Sequence, residues 1–167
     1  RFQLHECMEC GHIFQNPRLS IDGLDYYYKD FYDGLGEEGL AAVFGYSADP
    51  YLNRAKMLQG VVDPERWLDV GAGHGHFCCV ARDVWPKTRF DALDLSVSVE
   101  EAARRGWADS GILALFPDKA HDLKGQYDVV SMSHYLEHTR EPKEEIQAAA
   151  TVLRDGGAIM IEVPDPD

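Results

Sequence analysis

The chain has 167 residues, 45% of them hydrophobic and 27% charged, values of an ordinary globular domain with a buried core. Its 16 Lys and Arg against 29 Asp and Glu leave a net charge of −13, which argues against a nucleic-acid partner, since phosphate-backbone affinity rests on Lys and Arg. No run approaches the ~18 apolar residues of a membrane-spanning helix, the N-terminal stretch is polar and lacks a signal-peptide pattern, and four cysteines in such a chain suit metal or free thiols better than a disulfide framework. The expected setting is cytoplasmic.

In chain order, residues 1–18 hold His5-Glu6-Cys7-Met8-Glu9-Cys10-Gly11-His12. A CxxC followed by glycine suits the turn of a zinc knuckle, where two thiolates share one tetrahedral ion. Cys7 and Cys10 are the candidate metal ligands. One such pair does not complete a site, and His5 and His12 lie very close to it in sequence. The bland reading is a β-hairpin with two idle thiols. Residues 19–60 form a second segment. It contains Tyr26, Tyr27, Tyr28, Phe31 and Tyr32, whose rings either pack on the domain or form a lid, since a tyrosine joins apolar area to a polar tip. Gly34–Gly39 reads as a loop, and Pro50–Gly60 as a helix with Leu52, Ala55, Met57 and Leu58 near one face.

Residues 61–167 form the core domain, in which strands and helices alternate. The expected strands are Arg66–Val70, Arg89–Leu95, Ile112–Phe116, Tyr127–Ser133 and Ala158–Val163. Between them fall helices over Gly75–Trp85, ended by Pro86, and over Val97–Arg105, capped by Ser96 and closed by Gly106. A poorly defined link covers Pro117–Gln126. Pro142 opens a helix through Leu153, and Asp155-Gly156-Gly157 turns the chain. Repeated strand–helix units predict an α/β fold, a doubly wound, mostly parallel sheet with helices on both faces. Ligands of such sheets bind at the carboxyl ends of the strands. Asp69–Gly75, Asp94–Ser96 and Ser133–His138 all fall there.

The first of these stretches is Trp67-Leu68-Asp69-Val70-Gly71-Ala72-Gly73-His74-Gly75-His76-Phe77. Alternate glycines allow a sharp turn and let a ligand lie against the backbone. A dinucleotide fingerprint would need glycine where His76 stands, and no phosphate-loop Gly-Lys-Ser/Thr occurs anywhere. Asp69 would repel a pyrophosphate and suits a cationic or amino-bearing ligand. Asp94, ending the next strand, is placed as the acid that holds a ribose diol in doubly wound sheets.

Asp69-x-Gly71-x-Gly73-x-Gly75, followed by Asp94, resembles the class I S-adenosylmethionine-dependent methyltransferases. His134-Tyr135-Leu136-Glu137-His138-Thr139 and Val152-Leu153-Arg154-Asp155-Gly156-Gly157 resemble two later stretches of one branch of that family, in the same order. The resemblance implies a Rossmann-like fold, S-adenosylmethionine as cofactor and a small-molecule methyl acceptor such as a sugar, lipid, quinone precursor or natural product. It implies that Asp69 and the backbone of Gly71, Ala72, Gly73 and Gly75 hold the methionine end. Asp94 would take the ribose hydroxyls, Leu95 would lie near the adenine, a group in Phe116–Asp118 would face the adenine edge, and Ser133 and His134 would face the cofactor. His138 and His134 are the candidate bases, with Glu137 a third, because imidazole titrates near neutral pH; His74 and His76 read as bystanders, and Cys78 and Cys79 as structural thiols. Through Phe14-Gln15-Asn16-Pro17-Arg18 the N-terminal segment resembles the second half of a zinc ribbon, so zinc is a further candidate cofactor. The resemblance also implies a CxxC before Arg1 and a helix and reversed strand pair after Asp167, so the sequence reads as a piece shortened at both ends. The competing reading is a non-catalytic cofactor-binding or zinc-mediated interaction module, and a lesser one is another nucleoside-cofactor enzyme. Oligomeric state is left open.

Overall fold

The structure is a computed structural model that describes residues 3–20, 22, 23, 26 and 48–165. The chain divides after Tyr46 into two compact units, each described by itself. Most of the tyrosine-rich stretch and the Gly34–Gly39 loop lie outside the described residues.

In the first unit, β1 (Leu4–Glu6) pairs antiparallel with β2 (Ile13–Gln15), His5 opposite Phe14. The CxxC forms the connecting turn: the Cys7 N–H donates to the His12 carbonyl and the Gly11 N–H to the Cys7 carbonyl, both at 2.8 Å. Gly11 takes φ +72°, which a side chain would strain. His5 and His12 both stack on Phe14, at 6.0 and 6.1 Å between ring centroids.

The second unit opens with helix α1 (Ala48–Lys56). It then alternates through β3 (Arg66–Val70), α2 (His76–Val84), β4 (Arg89–Asp94), α3 (Ser98–Arg104), β5 (Ser110–Leu113), α4 (Phe116–Lys119) and β6 (Tyr127–Ser133). A 3-10 turn (Leu136–His138), α5 (Pro142–Val152) and β7 (Leu153–Glu162) follow. The strands form one parallel sheet in the order β5-β4-β3-β6-β7. The chain therefore winds outward from β3 to one edge, returns, and winds to the other, which puts the switch in strand order between β3 and β6. This is the doubly wound α/β fold expected from the sequence.

β3 explains why its sequence runs apolar rather than alternating. Both faces of the sheet are covered, so Trp67, Leu68 and Val70 are all at most 1% exposed. Leu68 and Val70 pack with Phe116, Val130, Met132, Ala149 and Val152 on the face covered by α4 and α5. Trp67 packs with Ala55, Phe77, Phe90, Val99 and Met160 on the face covered by α1, α2 and α3. No helix of the described residues is long and apolar enough to cross a membrane.

The helix expected over Pro50–Gly60 runs from Ala48 to Lys56, and two strands depart further from expectation. The strand expected at Ile112–Phe116 begins at Ser110 and ends at Leu113. A Cβ on Gly111 would stand 2.1 Å from the Val99 carbonyl oxygen, so the strand passes under α3 where only glycine fits. Phe116 turns inward, 1% exposed, and Pro117 starts α4, where its missing N–H costs nothing. The turn expected at Asp155-Gly156-Gly157 falls inside β7 as a break in its register with β6. Tyr127 pairs with Leu153 but Val129 pairs with Ala158, and Gly156 takes φ +81°.

Candidate functional site

The carboxyl ends of β3, β4 and β6 meet at the switch, and each ends in a polar group that the packing orients. At the end of β3, Asp69 is only 5% exposed. Its register partner on β6 is Ser131, whose hydroxyl donates to Asp69 Oδ1 at 2.6 Å and accepts from Trp67 Nε1 at 2.9 Å. Burial pushes the Asp69 carboxyl up to about 7; the Ser131 bond opposes this, the Asp94 charge adds to it and the Arg54 charge opposes it. Asp69 is thus a buried acid that ionises less readily than a free carboxyl.

The glycine loop turns away from Asp69 with φ values of +73°, +53° and +73° at Gly71, Gly73 and Gly75. The N–H groups of Gly71 and Ala72 donate to the Leu93 carbonyl at 2.9 and 3.2 Å, which ties the loop to β4. A Cβ on Gly71 would stand 2.5 Å from the Tyr135 ring and one on Gly75 2.7 Å from Ala102, whereas at Gly73 it would meet nothing within 4 Å. Gly71 and Gly75 are therefore required by packing, and the middle of the loop offers bare backbone to open space.

Asp94 closes the other side. Its Oδ2 accepts from the Gly73 N–H and its Oδ1 from the Ser96 N–H, both at 2.8 Å, while the Ser98 hydroxyl donates to the Gly73 carbonyl at 2.8 Å. Each carboxylate oxygen keeps acceptor capacity for a further donor. Leu95, Val97, Leu113 and Leu115 stand beside it, 64%, 67%, 45% and 51% exposed, an apolar rim next to an acid. Within Phe116–Asp118, where a group facing an adenine edge was expected, Phe116 is buried in the core and Asp118 is exposed on α4; Leu115, just before them, is exposed as well.

At the end of β6, Ser133 is half-buried opposite Glu162 of β7. His134 takes φ +51°, an uncommon backbone for a non-glycine residue, and its N–H donates to the Glu162 carbonyl at 2.9 Å. Its ring lies between two carboxylates, Nε2 3.2 Å from Glu162 and Nδ1 3.5 Å from Glu137. The His138 Nε2 is 3.8 Å from the same Glu137 oxygen. Arg54 of α1 grips both oxygens of Glu162, Nε at 2.5 Å and Nη2 at 2.7 Å, and this holds the Glu162 carboxyl below its usual range. The Tyr135 hydroxyl donates to Glu145 at 2.9 Å. The Glu145 carboxyl is raised by burial, with the Tyr135 bond opposing.

Of the core residues singled out from the sequence, Asp69 to Gly75, Asp94, Leu95, Ser133, His134 and His138 stand at this end of the sheet, whereas Phe116 of the Phe116–Asp118 stretch is turned into the core. Ser131, Arg54, Glu162, Tyr135 and Glu145 were missed. Glu162 carried a usable signal, an acid ending an apolar strand, the pattern that marked Asp94. Ser131 and Arg54 carried none, since their partners are set by strand register and by a helix distant in sequence.

Cys7 and Cys10 belong to the other unit. Backbone N–H groups of Glu9 and then Cys10 point at the Cys7 sulfur and lower its thiol from the usual value. Among the described residues no group of three or more His, Cys, Asp or Glu is arranged to hold a metal, so this pair does not make a zinc site there.

Comparison with known proteins fits this geometry. A family described as a methyltransferase domain matches residues 45–167. The chain is 30% identical over 116 residues to the ubiquinone biosynthesis O-methyltransferase of Shewanella halifaxensis, 65% of this chain and 48% of that protein. It is 25% identical over 107 residues to the malonyl-[acyl-carrier protein] O-methyltransferase of Anoxybacillus flavithermus, 64% of this chain and 41% of that protein. The chain spans about half the length of these curated relatives. Its fold is similar to that of the Burkholderia thailandensis 1,6-didemethyltoxoflavin-N1-methyltransferase, solved with 1,6-didemethyltoxoflavin and S-adenosylhomocysteine, with a TM-score of 0.70 at 17% identity over 99% of this chain and 74% of that one.

Proposed function

Since the chain belongs to the methyltransferase-domain family over residues 45–167, we propose that it binds S-adenosylmethionine at the strand ends and transfers its methyl group to a small-molecule acceptor. The observation that carries this is the convergence of Asp69, the open backbone at Gly73 and Asp94 beside an apolar rim. These residues fit the cofactor part by part. Asp69 faces the amino group, Arg54 the carboxylate, and the loop backbone underlies the amino-acid chain. Asp94 takes the ribose hydroxyls in exchange for part of its hold on the loop, and Leu95 and Leu115 flank the adenine.

The bound sulfonium supplies a methyl group already activated by positive charge. The chain's task is then alignment, which can supply several kcal/mol of the barrier. Ser133 and His134 border the cofactor at the end of β6. For an acceptor that must lose a proton, His134 and His138 are the candidate bases. Glu137 lies against both rings, so a proton taken by either meets a carboxylate partner, as in carboxylate–imidazole catalytic pairs. The acceptor class we propose is a sugar, lipid, quinone precursor or natural product. The relatives named as O-methyltransferases favour an oxygen acceptor, a hydroxyl or a carboxylate.

The test is calorimetric titration with S-adenosylmethionine and S-adenosylhomocysteine, with Asp94→Ala alongside. Saturable binding that Asp94→Ala weakens about tenfold or more is expected, as for loss of charge-assisted hydrogen bonds. Methyl transfer to a panel of hydroxyl and carboxylate acceptors then separates an enzyme from a cofactor-binding module. At Cys7 and Cys10 the reading is a thiolate pair that takes zinc only with ligands outside the described residues; zinc analysis of the purified protein checks it, and metal-free folded protein removes it.

A further inference from the structure

Arg54 is already engaged. Its guanidinium grips both Glu162 oxygens in the parallel fork by which arginine recognises a carboxylate. The Arg54 side chain is 14% exposed, and its charge acts on Asp69. The same helix also lies along the glycine loop. Tyr51, one turn before Arg54 and 5.4 Å from its guanidinium, has its ring 6.1 Å from that of His76, the residue after Gly75. An amino-acid end lying on this loop carries an ammonium and a carboxylate. Asp69 meets the first. The cation whose charge reaches Asp69 is Arg54, and its fork is filled by an internal carboxylate.

We propose that Glu162 is a built-in stand-in for the carboxylate of the cofactor: it fills the Arg54 fork in the free chain and gives it up when the ligand binds. This rests on the cofactor reading above. Glu162 can let go without being left as an unpaired charge. Its Oε1 already lies 3.2 Å from His134 Nε2, so the released carboxylate turns to the imidazole and keeps an opposite or hydrogen-bonding partner. The exchange therefore links arrival of the amino-acid end to repositioning of Glu162 against His134, on the acceptor side. It also scales apparent affinity down to the fraction of time the fork is free.

The experiment compares two ligands by calorimetry on the full chain. S-adenosylhomocysteine carries the amino-acid end, and 5′-methylthioadenosine is the same nucleoside thioether without it. Glu162→Gln keeps the shape but removes the competing charge. It is expected to bind S-adenosylhomocysteine about 3–10-fold tighter than wild type, with methylthioadenosine affinity within about twofold. Arg54→Met is expected to weaken S-adenosylhomocysteine about tenfold or more and to leave methylthioadenosine alone. Glu162→Gln binding S-adenosylhomocysteine no tighter, or altering both ligands equally, overturns the proposal and makes Glu162 a brace for the strand ends. Wild type binding neither ligand overturns the cofactor reading as well, which separates the two failures. The arginine Nε–H resonances of the unaltered chain give an independent readout. The Arg54 signal is expected to shift with S-adenosylhomocysteine and not with methylthioadenosine, and a shift common to both sinks the exchange.

Discussion

Asp69 shows how one residue's chemistry is set by its surroundings. Its carboxyl, unremarkable in an unfolded chain, is raised from 3.8 to about 7 by burial at the end of β3. The native state therefore holds a proton that the unfolded chain has released between these values. The stability this contributes is complete below the lower value and declines as pH rises through the window, levelling off above about 7. Urea unfolding at about pH 5 and pH 8 should show this as a loss of up to about 3 kcal/mol, a contribution that Asp69→Asn removes. Ligand binding has the opposite sign. A cationic amino group favours the carboxylate, so S-adenosylhomocysteine affinity should rise with pH up to about 7, and binding near about pH 6 should release a proton. Calorimetry in two buffers of different ionisation heat measures that release; equal heats in both contradict it.

The elements are joined by contacts that leave no room for a side chain, and these differ in what they protect. Gly111 is where β5 passes beneath α3, with the Val99 carbonyl in the place a Cβ would take. Backbone cannot yield as a flexible side chain does, so Gly111→Ala should cost about 3 kcal/mol or more, read from the urea midpoint. Gly73→Ala meets no atom within 4 Å and carries only the strain of φ +53°, about 1–2 kcal/mol. It should fold, yet lose S-adenosylhomocysteine affinity about tenfold or more, because its methyl group would stand where the ligand lies against the backbone. A folded Gly73→Ala protein with unchanged affinity would place the ligand elsewhere. The Tyr135–Glu145 bond belongs to the same scale: it holds the start of the 3-10 turn against α5 while the ring covers Gly71.

Across the whole second unit, polar groups are divided between the two ends of the sheet. At the amino ends they are spent on cohesion. Asp128 accepts from the N–H groups of Glu65 and Arg66 at 2.8 and 2.9 Å and from Arg154 at 2.9 Å, which clasps β3, β6 and β7. Asp91, 2% exposed, accepts from Arg66 at 2.6 Å and from the Tyr127 hydroxyl at 2.9 Å, and Arg66 lies over the Tyr127 ring. Removing one partner strands the other, so Asp91→Ala should destabilise by about 3–5 kcal/mol without changing S-adenosylhomocysteine affinity in the folded fraction. A matching loss of affinity would show that the two ends are coupled. At the carboxyl ends the acids face the glycine loop and one another, a costly arrangement for a −13 chain unless a ligand supplies the missing charge.

The sequence by itself determined what short-range patterns encode. The order of strands and helices, the parallel sheet and the glycine loop flanked by Asp69 and Asp94 were all legible, because apolar periodicity, glycine spacing and strand-end acids act within a few residues. Only the tertiary structure decided the rest. Strand register set Ser131 beneath Asp69, and α3 crossing Gly111 moved β5 earlier than its apolar run suggested. A helix 108 positions away in sequence brought Arg54 to Glu162. Such pairings depend on where the chain returns in space, and the identity of neighbouring residues carries no record of that.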